Sequence, residues 1–295
     1  MKRLLLYLFA GLSLHATAYA ISIDSLSKTV VFLRQRSQSI EMKGGKQVEV
    51  WYRDPETEKL EPKLDVMSGS GLIIRYHGSD YLVTAKHVAK ALSAKAEIVM
   101  NLSGGKSTSL TFEWISQQQI IKGARWFHHP KADISIHPLC YPTDSEQIVI
   151  GEDLFPQQKK EIPLLTAAYV LGFPLGQGVQ QNLSPLAKET RIASRLTSVD
   201  NPNVSSELLF ILLDQALAQG YSGAPVFYTE DIMSNVSIAG QRMKGGEELH
   251  FVGILSGGLS DATGGKISLV VPTSYLREIL ESDEFIQYEK SLKEN

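Results

Sequence analysis

What constrains this chain most is its punctuation. From residue 29 to residue 271, short apolar or alternating runs follow one another, separated by Gly, Pro, Asn, Asp and Ser, with little helical pattern between them. Such runs read as strands, and their spacing suits a sandwich or a barrel, not βαβ units. Candidate strands lie at 29–33, 48–52, 71–76, 80–85, 97–102, 134–137, 168–172, 188–196, 208–214, 224–228, 251–256 and 266–271. Twelve strands suit an all-β chain of two six-stranded antiparallel β-barrels. Helical pattern is expected at 88–94 and near the C-terminus. There Pro272-Thr273-Ser274 can open a helix with Leu276, Ile279 and Leu280 on one face, followed by a polar end at 281–295 that reads as frayed or helical at the surface.

The first twenty residues are read as a leader. Lys2 and Arg3 precede an apolar stretch from Leu4 to Leu14, and Ala18-Tyr19-Ala20 offers a small-x-small cleavage site, the pattern of a secretory signal peptide. The apolar stretch is too short to span a bilayer, which takes about 20 residues. The expectation is an exported chain, periplasmic or secreted after cleavage near Ala20, with no integral membrane segment left. With Cys140 as its sole cysteine, such a chain folds without an internal disulfide. Its core must suffice, and at this length roughly 70 to 75% of the unfolded surface can be buried. Cys140 reads as a buried small hydrophobe. A formal net charge of −3 provides no basic field to hold nucleic acid.

The chain divides most naturally in 141–163, where Pro142, Gly151, Pro156 and Pro163 flank the polar run 157–161. The expected organisation is a leader at 1–20, an N-terminal barrel at 21–150 and a C-terminal barrel with its helix at 151–295. Residues 41–66, charged and carrying Gly44-Gly45, look like an inserted hairpin or long surface loop.

Three segments carry chemistry. Gly69-Ser70-Gly71-Leu72-Ile73-Ile74 turns into a strand and is followed by Tyr81-Leu82-Val83-Thr84-Ala85-Lys86-His87, which delivers a histidine at a strand end. Ala132-Asp133-Ile134-Ser135-Ile136 opens a strand with an acid. Gln219-Gly220-Tyr221-Ser222-Gly223-Ala224-Pro225-Val226 sets a glycine-flanked serine before a strand. In the order His87, Asp133, Ser222, separated by 46 and 89 residues, these segments resemble the trypsin-like (chymotrypsin-fold) serine peptidases, above all the HtrA-type protease domain. Further matches are Leu171-Gly172-Phe173-Pro174-Leu175-Gly176, Phe251-Val252-Gly253-Ile254 and Val271-Pro272-Thr273-Ser274, so the likeness spans most of the chain. With the last expected strand ending at Val271, the PDZ domains of larger HtrA-type proteins are not expected in this sequence.

The resemblance implies a chymotrypsin-like fold and a serine endopeptidase acting on a polypeptide, without metal or cofactor. A serine hydroxyl is a weak nucleophile at neutral pH, so an imidazole must take its proton during attack and return it to the leaving amine. His87 fills that place. Asp133 would accept the other ring N–H and stabilise the imidazolium. Backbone N–H groups of Gly220 and Ser222 would bind the developing oxyanion, worth about 3 kcal/mol or more each in comparable sites, and Gly220 can take the positive φ of such a turn. By the same resemblance Ser256, Gly257 and Gly258 form the edge that pairs with substrate backbone. Ala216, six residues before Ser222, lies at the base of the primary pocket, with Gly258 on its wall, which implies an apolar pocket for Val, Leu, Ala or an aromatic residue.

Other readings compete at single positions. A serine between glycines is often only a turn. His128-His129 could suggest a metal, but no further ligand follows at suitable spacing, and a solvated loop before Pro130 is the plainer reading. Asp65, Asp80 and Asp214 compete with Asp133; Asp214 is read as holding the loop that leads to Ser222. Gly220-Tyr221-Ser222-Gly223-Ala224 loosely fits the nucleophile elbow of α/β-hydrolases, yet that family needs an acid and then a histidine after the serine, and only His250 follows, 28 residues on. Two positions depart from the family pattern. Ala224 stands where a second glycine is usual, which could crowd the wall behind the nucleophile, and Lys86, expected to face solvent, stands where a small or polar residue is usual. Two further readings stay open: a catalytically silent or activator-dependent trypsin-like domain used for protein binding, and a self-limited protease gated by the loops at 41–66 and 141–163.

Overall fold

The structure, a computed structural model, describes residues 23–55, 57–118, 121–155, 161–179, 182–199, 207–231, 237–238, 241–242, 247–263 and 265–293. The expected leader at 1–20 lies outside them. After helix α1 (Ile23–Ser27), the first half contributes β1 (Val30–Gln38), β2 (Ile40–Lys43), β3 (Lys46–Glu49), β4 (Trp51–Arg53), β5 (Leu60–Pro62), β6 (Leu64–Tyr76) and β7 (Ser79–Thr84). Helix α2 (Lys86–Ala91), β8 (Glu97–Leu102), β9 (Lys106–Thr111), α3 (Phe112–Ser116), β10 (Phe127–His128) and β11 (Ser135–Pro138) follow. One antiparallel sheet takes seven of these strands in the order β10-β11-β7-β6-β1-β8-β9.

The second half contributes β12 (Ala167–Gly172), β13 (Leu186–Arg191), β14 (Ile211–Leu213), β15 (Pro225–Asp231), β16 (Ser237–Ile238), β17 (Gln241–Arg242), β18 (Glu247–Ser260) and β19 (Lys266–Pro272), then α4 (Thr273–Leu280) and α5 (Asp283–Lys293). Its sheet has the order β13-β12-β15-β18-β19-β14. The chain is therefore mostly β, with two curled antiparallel sheets and C-terminal helices, as the strand spacing implied. All six strands expected in the second half are there.

The first sheet differs in detail: it has seven strands where six were expected. Residues 48–52 are not in it, and β9 and β10 are. β9, Lys106-Ser107-Thr108-Ser109-Leu110-Thr111, has almost no apolar signal; it is held by its backbone ladder to β8, from Glu97↔Thr111 to Leu102↔Lys106. Residues 40–63 instead leave the end of the β1–β6 pair as two small ribbons, β2–β3 and β4–β5. These ribbons meet at a junction of backbone bonds, Ser39 N–H to Lys63 O, Val50 N–H to Ser39 O and Lys63 N–H to Val50 O.

One large core runs through both sheets and the C-terminal helices. Phe32 of β1 meets Phe173 edge to face at 5.5 Å between centroids, so the two halves share aromatic packing. Helix α4 buries Leu276, Ile279 and Leu280, as its spacing required. Helix α5 corrects the expectation of a merely polar end. Phe285 is wholly buried and packs on Tyr81, Phe127 and Tyr76, and Tyr288 packs on Phe127. A segment of the chain's division also returns to the first sheet: Ile150 donates to Ile73 O and accepts from Arg75 N–H, in parallel with β6.

Candidate active site

His87 sits just past the end of β7, in the first turn of α2, with Val88 and Ala89 buried beneath it. Asp133 leads into β11, the neighbour of β7 in register Ser135↔Thr84, so the sheet itself brings the two side by side. The Asp133 carboxylate holds His87 twice. Its Oδ1 accepts the His87 backbone N–H at 2.8 Å, and its Oδ2 lies 2.7 Å from Nδ1. With Nδ1–H given to the carboxylate, Nε2 is the basic nitrogen.

Ser222 comes from the other half, on the turn before β15. The turn is fastened to both sheets: the Ser222 carbonyl accepts Ser70 N–H of β6 at 2.8 Å, and Gly223 N–H donates to Leu255 O of β18 at 2.7 Å. Gly223 has φ +82, and a Cβ there would lie 2.1 Å from Ser70 O and 2.2 Å from Thr84 Oγ1. Only glycine fits, because any side chain would be driven into the β6–β7 pair. Ala224 does not crowd this wall. It is wholly buried, and the residue facing it is Gly172, whose missing Cβ would stand 3.0 Å from the Ala224 methyl.

The Ser222 hydroxyl donates to the Ser256 carbonyl at 3.3 Å. Among the described residues no hydrogen bond joins it to His87 Nε2; such contacts are often long in unliganded sites and close with substrate. Ser256, expected only on the substrate edge, has a second contact: its hydroxyl donates to Asp133 Oδ2 at 2.6 Å. The carboxylate thus accepts three hydrogen bonds. Burial pushes the Asp133 carboxyl up, but the hydrogen bond and charge of His87 together with the Ser256 hydroxyl outweigh it and leave the pKa below its ordinary value. His87 moves the opposite way: the hydrogen bond to Asp133 raises its pKa against the effect of burial.

Gly220 has φ +100, and a Cβ there would strike Phe173 O at 2.5 Å. The carbonyl before it, Gln219 O, accepts Leu175 N–H at 2.8 Å. In a trans peptide the N–H points away from the C=O, so this bond aims the Gly220 N–H to the opposite side. Among the described residues neither Gly220 N–H nor Ser222 N–H has a protein acceptor. One side chain that the sequence reading did not single out fixes this turn. The Ser70 hydroxyl, fully buried, donates to Gly220 O at 2.8 Å and accepts Phe173 N–H at 3.0 Å. A polar residue between two glycines at the start of an apolar run was the signal available.

Ser256, Gly257 and Gly258 lie where β18 pairs with β19 on one side only. β15 ends its pairing at Pro225↔Ile254, and beyond a bulge at Ser256 the other edge of β18 is open. Nothing lies within 4 Å of a Cβ built on Gly257. Ala216 is exposed on the loop between β14 and Ser222. Ser268 shapes this loop by donating to Gln215 O and accepting Leu217 N–H. Asp214 accepts Thr190 Oγ1–H at 2.7 Å and Arg191 N–H at 3.0 Å, tying the loop to β13. Two expectations are corrected. Lys86 does not face solvent freely; its Nζ donates to His129 O at 2.6 Å and Pro130 O at 3.0 Å. Nor is His129 solvated: it is 3% exposed and bonded through both ring nitrogens.

A solved structure shares this architecture. The protease domain of MamO from Magnetospirillum magneticum matches 88% of this chain and 100% of its own at a TM-score of 0.50 and 13% identity. The fold is that of the trypsin-like proteases. A variant of the HtrA-type protease AlgW with a tripeptide matches at 18% identity and a TM-score of 0.47, over 87% of this chain; this chain spans 60% of its length. Deg5 matches at 13% identity and 0.47, over 85% of this chain and 87% of its own. No protein-family profile matches this chain, and no curated protein matches it in sequence.

Proposed function

We propose that this chain is an exported serine endopeptidase that hydrolyses polypeptides through an acyl-enzyme on Ser222. His87 Nε2 takes the Ser222 proton as the hydroxyl attacks the scissile carbonyl. The oxyanion forms against the N–H groups of Gly220 and Ser222. His87 then protonates the leaving amine, and a water activated by the same nitrogen hydrolyses the ester. Asp133 keeps the Nδ1–H tautomer and stabilises the imidazolium. The observation that carries this reading is the doubly bonded His87–Asp133 pair, joined through Ser256 to a serine turn whose Gly220 and Ser222 N–H groups have no protein acceptor among the described residues.

The open edge of β18 at Ser256–Gly258 would receive substrate as an added strand, and Ala216 with Gly258 would give a primary pocket without charge. Incubation with an unbiased peptide library, read by mass spectrometry, tests this. Cleavage after Val, Leu, Ala or an aromatic residue is expected; preferred cleavage after Arg or Lys overturns the pocket assignment. The export reading rests on the leader-like pattern at 1–20, and among the described residues no helix is long and apolar enough to cross a membrane.

A second reading is a silent or activator-dependent domain that binds protein, favoured by the Ser222 hydroxyl bonding to Ser256 O. Binding of peptides without their cleavage would support it.

A further inference from the structure

We propose that His129 and Lys86 are positioning residues that together clamp the turn carrying Asp133 and so set the geometry of the His87–Asp133 pair. The proposal rests on reading that pair as catalytic. Asp133 belongs to no helix or strand; it ends a tight turn closed by His129 N–H to Ile134 O at 3.1 Å. Inside the turn, His129 Nδ1 accepts Ala132 N–H at 2.7 Å and Lys131 N–H at 3.2 Å. A ring nitrogen here does what an Asp or Asn oxygen does in an Asx turn. The difference is that the ring has a second anchor, because Nε2–H donates to Glu278 Oε2 of α4 at 2.8 Å, and Tyr275 of α4 packs on it at 5.0 Å. The turn is thus fixed to the C-terminal helix as well as to its own strand.

Lys86 closes the arrangement from the other side. It immediately precedes His87, and its ammonium donates to His129 O and Pro130 O, the two carbonyls at the start of the same turn. Partial burial of the ammonium, with the neighbouring charge of Lys90, lowers its pKa. The backbone that carries His87 and the backbone that carries Asp133 are therefore tied by Lys86 four residues before the acid, in addition to the His87 N–H bond at Asp133 itself. This matters because packing covers only part of His87. Its side chain is 53% exposed, so its orientation follows the carboxylate. A shift of about 1 Å in a catalytic group can cost about 10²-fold in rate.

The test compares His129→Leu, His129→Asn and Lys86→Met with the wild-type chain, by peptide hydrolysis and by the low-field proton resonance of His87 Nδ1–H in chain labelled with ¹⁵N-histidine. The resonance is assigned by its loss in His87→Ala. Asn keeps an acceptor inside the turn; Leu keeps volume without one; Met keeps length without charge. For His129→Leu we expect kcat lowered about 10- to 100-fold with KM within about twofold, and the resonance broadened or lost. His129→Asn should restore both, and Lys86→Met should lower kcat with the same split. A folded His129→Leu chain with wild-type kcat and resonance overturns the proposal, as does a His129→Asn chain no better than His129→Leu. If His129→Leu does not fold, Asn and Lys86→Met decide between the same outcomes. If the wild-type chain hydrolyses nothing, the endopeptidase reading fails, while the resonance still reports whether His129 and Lys86 hold the pair.

Discussion

Ser256 serves two sides of the site at once: its hydroxyl lies on the Asp133 carboxylate and its carbonyl on the Ser222 hydroxyl. From sequence it was readable only as part of a strand edge, because the partner that gives it a second role is 123 residues away. Distance in sequence also hid the buried His129, whose partner Glu278 is 149 residues on, so that two adjacent histidines before a proline read as a wet loop. His87, Asp133 and Ser222 were legible because each sits at the mouth of a strand with local punctuation that chemistry demands. At this scale the pKa directions make a prediction. Hydrogen bonding to Asp133 raises the His87 pKa, and the base must be neutral, so kcat/KM should rise with pH through a midpoint above the ordinary histidine value of about 6.5. Asp133→Asn removes the cause, so the midpoint should move down, and kcat should fall about 10³- to 10⁴-fold. A pH–rate profile of both chains checks this; an unmoved midpoint contradicts the pairing.

Elements were readable where apolar alternation marks them and not where the backbone alone holds them. The second sheet shows the first case, with each expected strand present. β9 shows the second, as its polar Lys106–Ser109 stretch pairs with β8 through main-chain bonds. The burial of helix α5 was missed because few apolar residues, Phe285, Tyr288 and the partly buried Leu292, mark its inner face. Phe285 contacts Tyr76, Tyr81, Phe127 and Tyr288, so Phe285→Ala should cost about 3–5 kcal/mol, read by denaturant unfolding. A loss under about 1 kcal/mol would mean that α5 does not pack there. The turn before β15 is equally exacting. Gly220→Ala places a methyl 2.5 Å from Phe173 O at φ +100, so the turn must move and with it the N–H proposed to bind the oxyanion. The expected result is a kcat lower by about 10²-fold or more, with KM little changed; an effect on KM alone would contradict the role of that N–H.

At the scale of the molecule, the two sheets meet along the line where Ser70 contacts both Gly220 and Phe173, and the site lies on that line. The ribbons at 40–63 stand apart from it. Ile40, Met42, Val48, Trp51, Tyr52 and Leu60 are exposed there, and β1 and β6 already pair from Val30↔Leu72 to Gln38↔Leu64 without them. Replacing residues 39–63 by a short turn between Gln38 and Leu64 should therefore leave Tm within about 5 °C in a thermal melt; a collapse of the fold would make the ribbons part of the core.

The account stands on Ser222 being a nucleophile activated by His87. The most direct measurement is labelling of the chain by a fluorophosphonate probe, with Ser222→Ala and His87→Ala as controls. Stoichiometric modification of Ser222, lost in Ser222→Ala and at least strongly slowed in His87→Ala, is the predicted result. A folded wild-type chain that takes up no label, or that labels equally without His87, would contradict it.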